Sequence, residues 1–344
     1  MKKWLKRIGL GVLLLLILGY IWQFELVNYG ILQLRGQLNV VWSAVPLEEY
    51  VALPETTEEQ KEKIEIIKQA RAFAFDSLGI HYSDNYTTIF DQQDEPSMFV
   101  VTACEPYALK PRLWKFPVVG SMPYKGYFDR EKALAEAREI READSIDVSV
   151  RTAGGWSTLG WFQDPVLSNM LKRTEGDLVS LIIHELTHGT LFVKDSVTFN
   201  ENLASFIGDK GAELFLEAKY GRESAEVGVF KSRRADEERF KNYMLRASQS
   251  LDSAYKAMEN EPVVEKKRLK DELIAQVKQN LDTVAFESDR YTGYFENFTP
   301  NNTFFMSFLR YNSQLDLLEA ELNTKFDGDL KRYLIALKQT YPSI

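Results

Sequence analysis

The sequence predicts an α+β protein. A small mixed sheet region occupies the N-terminal half, a mainly helical portion the C-terminal half, and an N-terminal transmembrane anchor helix precedes both. Three observations carry this expectation. Residues 80 to 128 fall into short runs rich in β-branched and aromatic side chains, separated by Pro, Gly and Asp. From residue 177 onward the apolar spacing turns helical, with charged stretches interrupted at Glu261-Pro262 and around Pro300-Asn301-Asn302. Residues 1 to 27 open with the cations Lys2, Lys3, Lys6 and Arg7 and continue as an uncharged, mostly apolar run from Ile8 to Phe24.

Composition narrows the function classes. A chain of 344 residues has room for one large or two ordinary domains. Its 45% hydrophobic content excludes a disordered chain, and its 27% charged content excludes a polytopic membrane protein. A net charge of -8 argues against a nucleic-acid partner, which a basic face would meet. Cys104 is the single cysteine, so neither an intramolecular disulfide nor a thiolate metal cluster can form. No obligate protein partner is evident.

The elements follow in order. The 17 residues from Ile8 to Phe24 would span roughly 25 Å as a helix, the lower edge of what crosses a bilayer. With cations ahead of the run and Glu25 behind it, the positive-inside rule keeps the N-terminus cytoplasmic. The expected location is therefore the cell membrane, single-pass, with residues 28–344 extracytoplasmic (periplasmic in a Gram-negative source). A cleaved signal peptide is the rival reading, though no small-x-small site follows the run. Thr56 and Glu59 offer a capping box for a helix over Ile64, Ile67, Ala70, Phe73 and Ala74 that Gly79 stops. Strands are expected at Tyr86–Phe90, Met98–Ala103, Leu113–Val119, Met122–Phe128 and Ile146–Val150, with an Asp129-capped helix before the last. Residues 154 to 165 read as an aromatic turn. Helices follow over about 177–193 and 199–219, and 222–344 forms a helical C-terminal portion.

The chemistry-bearing motif lies in the first of those helices. His184-Glu185-Leu186-Thr187-His188 fits H-E-x-x-H. Histidines at i and i+4 point the same way from a helix and can bind one zinc ion, one per chain. Glu185 is displaced by about 100° around the helix, so it flanks the ion and can act as general base toward the attacking water. Such a site needs a third protein ligand. Glu201, at the start of the next helix, is the better candidate, and His81 the other. The competing reading of Glu201 is a capping box with Thr198 as N-cap.

These residues also carry a resemblance. Phe116-Pro117-Val118-Val119-Gly120, Pro123 to Asp129, Ser157 to Phe162, Asp164 to Ser168, His184 to Thr190 and Phe199-Asn200-Glu201 resemble the bacterial family of predicted zinc aminopeptidases. The resemblance runs from Tyr29-Gly30 to Asn301-Asn302 and the C-terminal helices. It implies a zincin-like fold of gluzincin type acting on peptides, with His184, His188 and Glu201 as ligands and Glu185 as base.

Other roles are less sharply marked. Zinc peptidases stabilise the oxyanion with a donor such as Tyr, and Tyr124, Tyr127 and Tyr311 are candidates beside a plain packing role. Asp195 and Asp209 could orient a ligand imidazole, or serve as a cap or surface acid. The rival functions are a zinc hydrolase of another amide in the cell envelope and a non-catalytic, tethered helical adaptor.

Overall fold

A computed structural model describes residues 2–116, 120–153, 163–312 and 314–341, apart from the side chains of several positions within 2–19 and of 310–312. Two helices, α1 (Lys2–Trp22) and α2 (Phe24–Ser43), lead into the short β1 (Val45–Pro46), α3 (Leu47–Val51) and α4 (Glu58–Ser77). Next come β2 (Thr88–Phe90), β3 (Phe99–Cys104), β4 (Trp114–Phe116), β5 (Gly120–Met122), β6 (Lys125–Tyr127), α5 (Arg130–Asp144), β7 (Asp147–Thr152) and β8 (Val166–Leu167). Helices then dominate: α6 (Glu175–His188), α7 (Val197–Tyr220), α8 (Ala225–Ala257), α9 (Val263–Leu281), α10 (Asn302–Asn312), α11 (Leu315–Phe326) and α12 (Leu330–Thr340).

The result is a mixed helical structure with small sheets, and it corrects the expected fold at its N-terminus. Among the described residues, no helix is long and apolar enough to cross a membrane. α1 starts among the cations and breaks at Gln23, before the apolar run ends. Its uncharged part, Ile8–Trp22, is 15 residues, about 22 Å of helix against a hydrocarbon core of about 30 Å. The transmembrane anchor is therefore not supported. The single-pass membrane location and the extracytoplasmic body inferred from it fall with it.

Among the described residues, three sheets share the N-terminal half. β2 lies between β1 (antiparallel) and β8 (parallel), β3 lies between β6 and β7 (both antiparallel), and β4 pairs with β5. The β3–β7 pair runs in register from Phe99 opposite Thr152 to Cys104 opposite Asp147, and α5 covers it through Ala133, Ala137 and Ile140. Asp129 caps α5 as its sequence suggests, accepting from the Glu131 and Lys132 amides. The largest core joins α4, α6, α7 and α12 to the first sheet, with Ile67, Leu178, Ile182, Ile183, Ile207 and Tyr333 almost inaccessible to water. A second core holds α8, α9 and α10 together around Met244, Leu251 and Phe305. It is tied to β7 by Asp147, which accepts from Lys270 Nζ (2.6 Å) and the Asn302 amide (2.8 Å).

Two element boundaries shift. The box on α4 is formed by Thr57 and Gln60, one residue later than expected, because the Thr56 hydroxyl is buried and donates to the Tyr50 carbonyl at 2.6 Å. α6 ends at His188, five residues short of the expected 193, because the chain leaves the helix at Gly189 and Val193 pairs with Asn200 instead.

Candidate metal centre

The site is built on the α6–α7 hairpin. α6 buries Leu178, Val179, Ile182, Ile183 and Leu186, so its apolar face fixes the rotation of the helix and turns His184 and His188 toward α7. The two helices approach closely at Gly208, where an added Cβ would lie 2.7 Å from the Ser180 carbonyl oxygen and 3.2 Å from His184 Cβ. The return loop is clasped by Asn200, whose side chain accepts from the Val193 amide (2.9 Å) and donates to the Val193 carbonyl (2.8 Å). Thr198 lies inside α7, so a Thr198 capping box with Glu201 is not formed.

These constraints bring three donor groups to one point. His184 Nε2 and His188 Nε2 are 3.1 Å apart, and each is 3.7 Å from Glu201 Oε2. A triangle with those sides has its centre about 2.0 Å from each corner, the length of a bond from such donors to zinc. The group His184, His188 and Glu201 could thus hold a metal ion, and two imidazoles with one carboxylate are donors of the right chemistry. His188 Nδ1 is buried without a hydrogen-bond partner among the described residues.

Burial sets the electrostatics. It pushes His184 down to about 4, with the charge of His188 adding to the effect. On His188 burial acts downward too, but the Glu201 and Glu185 carboxylates outweigh it, so its value is raised. Glu185 is pushed up to about 7, first by burial, while His188 opposes and the Glu201 and Asp164 carboxylates reinforce. A carboxyl that titrates near neutrality is matched to proton transfer. The family comparison speaks to the same region. A family model described as "Putative aminopeptidase" matches residues 28–341. The chain belongs to that family. No curated protein and no solved structure matches it.

Within this aminopeptidase-family chain, three of the other sequence candidates, Asp195, Asp209 and Tyr127, are held by other partners. Asp195, at φ 58°, accepts from the Ser121 amide at 2.7 Å, and so pins β5 to the α6–α7 loop. Asp209 acts electrostatically on His184, yet its oxygens take the Ser180 hydroxyl (2.7 Å) and the Arg234 guanidinium (3.1 Å). Tyr127 donates to Glu136 at 2.7 Å inside the β3 sheet, and Tyr124 stands half-buried just ahead of β6. The side chain of Tyr311 and the aromatic segment 156–162 lie outside the described residues. His81 is exposed, its amide donating to the Thr190 hydroxyl, and it is not among the converging donors.

Sequence reasoning passed over Tyr86. It is fully buried at φ 62°, an unusual backbone for an aromatic residue, and its hydroxyl has no partner among the described residues. Glu185 and Asp164 both act on that phenol and, after burial, help raise it well above its ordinary value. No local pattern marks such a residue, since its place depends on the 80–87 segment packing against α6.

Metal uptake by this site should depend on pH. Both imidazoles must be neutral to bind, and the raised His188 is the first to take up a proton as pH falls. Zinc affinity, measured by competition with a chromophoric chelator, is expected to be fully developed above that raised value. It should fall as pH drops through it, with the decline starting above the ordinary histidine value of 6.5. An affinity flat between pH 8 and 6 would contradict this.

Proposed function

We propose that the chain is a zinc-dependent aminopeptidase of gluzincin type, with His184, His188 and Glu201 as the metal ligands and Glu185 as general base. The observation that carries the reading is the convergence of two Nε2 atoms and one carboxylate oxygen with sides of 3.1, 3.7 and 3.7 Å, in a chain of the aminopeptidase family. Bound there, the ion would supply a Lewis acid that polarises the scissile carbonyl and acidifies a water. Glu185 follows His184 directly, so its carboxylate projects about 100° away from the ligand direction. It takes the proton from the attacking water and delivers it to the leaving amine. In the metal-free chain burial raises Glu185 to about 7, and the charge of a bound ion would draw it back toward the carboxylate form that accepts the proton.

The deciding measurement is bound zinc per chain, made alongside turnover of aminoacyl and N-blocked peptide substrates. Wild type is expected to hold about one zinc and to cleave the unblocked substrates. Glu201→Ala should lose the metal and the activity together while retaining its helical circular dichroism. Zinc retained by Glu201→Ala would remove Glu201 from the ligand set. A preference for N-blocked substrates would overturn the aminopeptidase assignment.

A further inference from the structure

A cleft of about 230 Å³ opens beside His184, between α6, α7 and α8. Its walls carry four cations, Arg173, Arg234, Lys241 and Arg290, against the three acids Asp177, Asp209 and Glu237. All three acids are engaged. Asp177 takes Arg233 (2.7 Å) and the Thr174 hydroxyl (2.8 Å), Glu237 takes Arg234 and Arg290, and Asp209 takes Ser180 and Arg234. Arg173 is different. It is exposed, and its guanidinium has no hydrogen-bond or ion-pair partner among the described residues. It also lies close enough to Glu185 to act on that carboxyl.

In a chain with a net charge of -8, this cleft keeps an excess of one cation, and Arg173 is the one that supplies it unpaired among the described residues. Residues 117–119, 154–162, 313 and 342–344 contain no acidic side chain that could neutralise it. We infer that this cleft selects peptides by a carboxylate, and that Arg173 is the specificity-determining residue that receives it. The inference rests on the peptidase reading of the same site and names its substrate class. A guanidinium offers paired donors that match a carboxylate, which favours Arg173 over the more distantly paired Lys241. Arg173 lies two residues ahead of α6 and lines the same cleft as His184, and an extended peptide advances about 3.3 Å per residue. The recognised carboxylate therefore sits a few residues from the bond cleaved. It comes from an acidic side chain or from the free C-terminus of a short peptide.

The test separates recognition from turnover. Full-length, zinc-loaded chain carrying Glu185→Gln is titrated calorimetrically with pentapeptides in two matched pairs, Glu against Gln at one position and free against amidated C-terminus. The carboxylate form of one pair should bind about fivefold tighter or more at low salt. Adding Arg173→Gln should erase that difference, and Arg173→Lys should keep part of it. The pair that responds names the source of the carboxylate. Equal binding within both pairs, or a preference that survives Arg173→Gln, would overturn the assignment. Wild-type turnover judges the other reading. Carboxylate-selective binding with no peptide cleaved by zinc-loaded wild type would end the peptidase proposal and leave Arg173 in place, whereas cleavage without selectivity would do the reverse.

Discussion

Replacing Glu185 by Gln should lower turnover by about 10² to 10⁴-fold while leaving bound zinc unchanged. The two halves of that result have separate origins. Gln has nearly the shape of Glu but cannot accept the proton of an attacking water, so the chemical step loses its base. The donor triangle is made by His184, His188 and Glu201, none of which the change touches. A third readout follows from burial. In the metal-free chain Glu185 titrates at about 7 against an ordinary 4.5. A carboxyl raised in this way favours the folded state least when it is ionised. Its penalty is absent below pH 4.5, grows as pH rises through 7, and reaches about 3 kcal/mol at most. Metal-free Glu185→Gln should therefore be more stable than wild type at pH 8 and indistinguishable at pH 4, as read by denaturant melts. Undiminished turnover in the variant would remove Glu185 as the base. Loss of zinc would mean that it helps hold the ion.

The second large effect is expected at a residue that offers no donor to the ion. Gly208→Ala would put a methyl group 2.7 Å from the Ser180 carbonyl oxygen and 3.2 Å from His184 Cβ. The carbonyl is helix backbone and cannot turn aside, so α7 must move away from α6. Gly208 lies seven residues, two turns, beyond Glu201 and on the same face of α7. The displacement therefore carries Glu201 away from the imidazoles. Overpacking of this kind lowers stability by about 1–3 kcal/mol, and zinc affinity should fall about tenfold or more, as it does when the groups supporting a metal ligand are disturbed. The control is Gly228→Ala in α8, where nothing lies within 4 Å of the added Cβ. That change should be neutral or stabilising by up to about 1 kcal/mol. Equal zinc affinity in Gly208→Ala and wild type would show that the hairpin tolerates a wider spacing than its packing indicates.

The metal-site candidates were legible in the sequence because their geometry is local. Two histidines one turn apart face the same way on any helix, and a hairpin of ordinary loop length returns Glu201 beside them. Boundaries were less legible where two residues compete for one role. Thr56 and Thr57 can each cap α4, and only the buried bond from Thr56 to the Tyr50 carbonyl decides between them. At the C-terminal end of α6, Leu191, Phe192 and Val193 continue the apolar pattern after the helix has stopped, since the return loop buries the first two and half-buries the third. The N-terminal run misled for a related reason. Apolar content counts residues without regard to where the helix breaks, and Gln23 breaks it. Arg173 and Tyr86 carried no functional signal in the sequence, because each acquires its neighbours only through non-local packing.

The short span of the ligand set has a consequence for how the ion comes and goes. His188 and Glu201 enclose only the twelve residues 189–200, and the Asn200 clasp on Val193 already closes most of that loop. Closing a loop this short removes little conformational freedom from the unfolded chain, in contrast to a metal that joins distant segments. An ion held there would thus add little to a hairpin that its apolar packing and the Asn200 clasp already hold together. Loading and stripping are then expected to proceed on folded chain, and which divalent ion would reside there becomes a matter of relative affinity and supply.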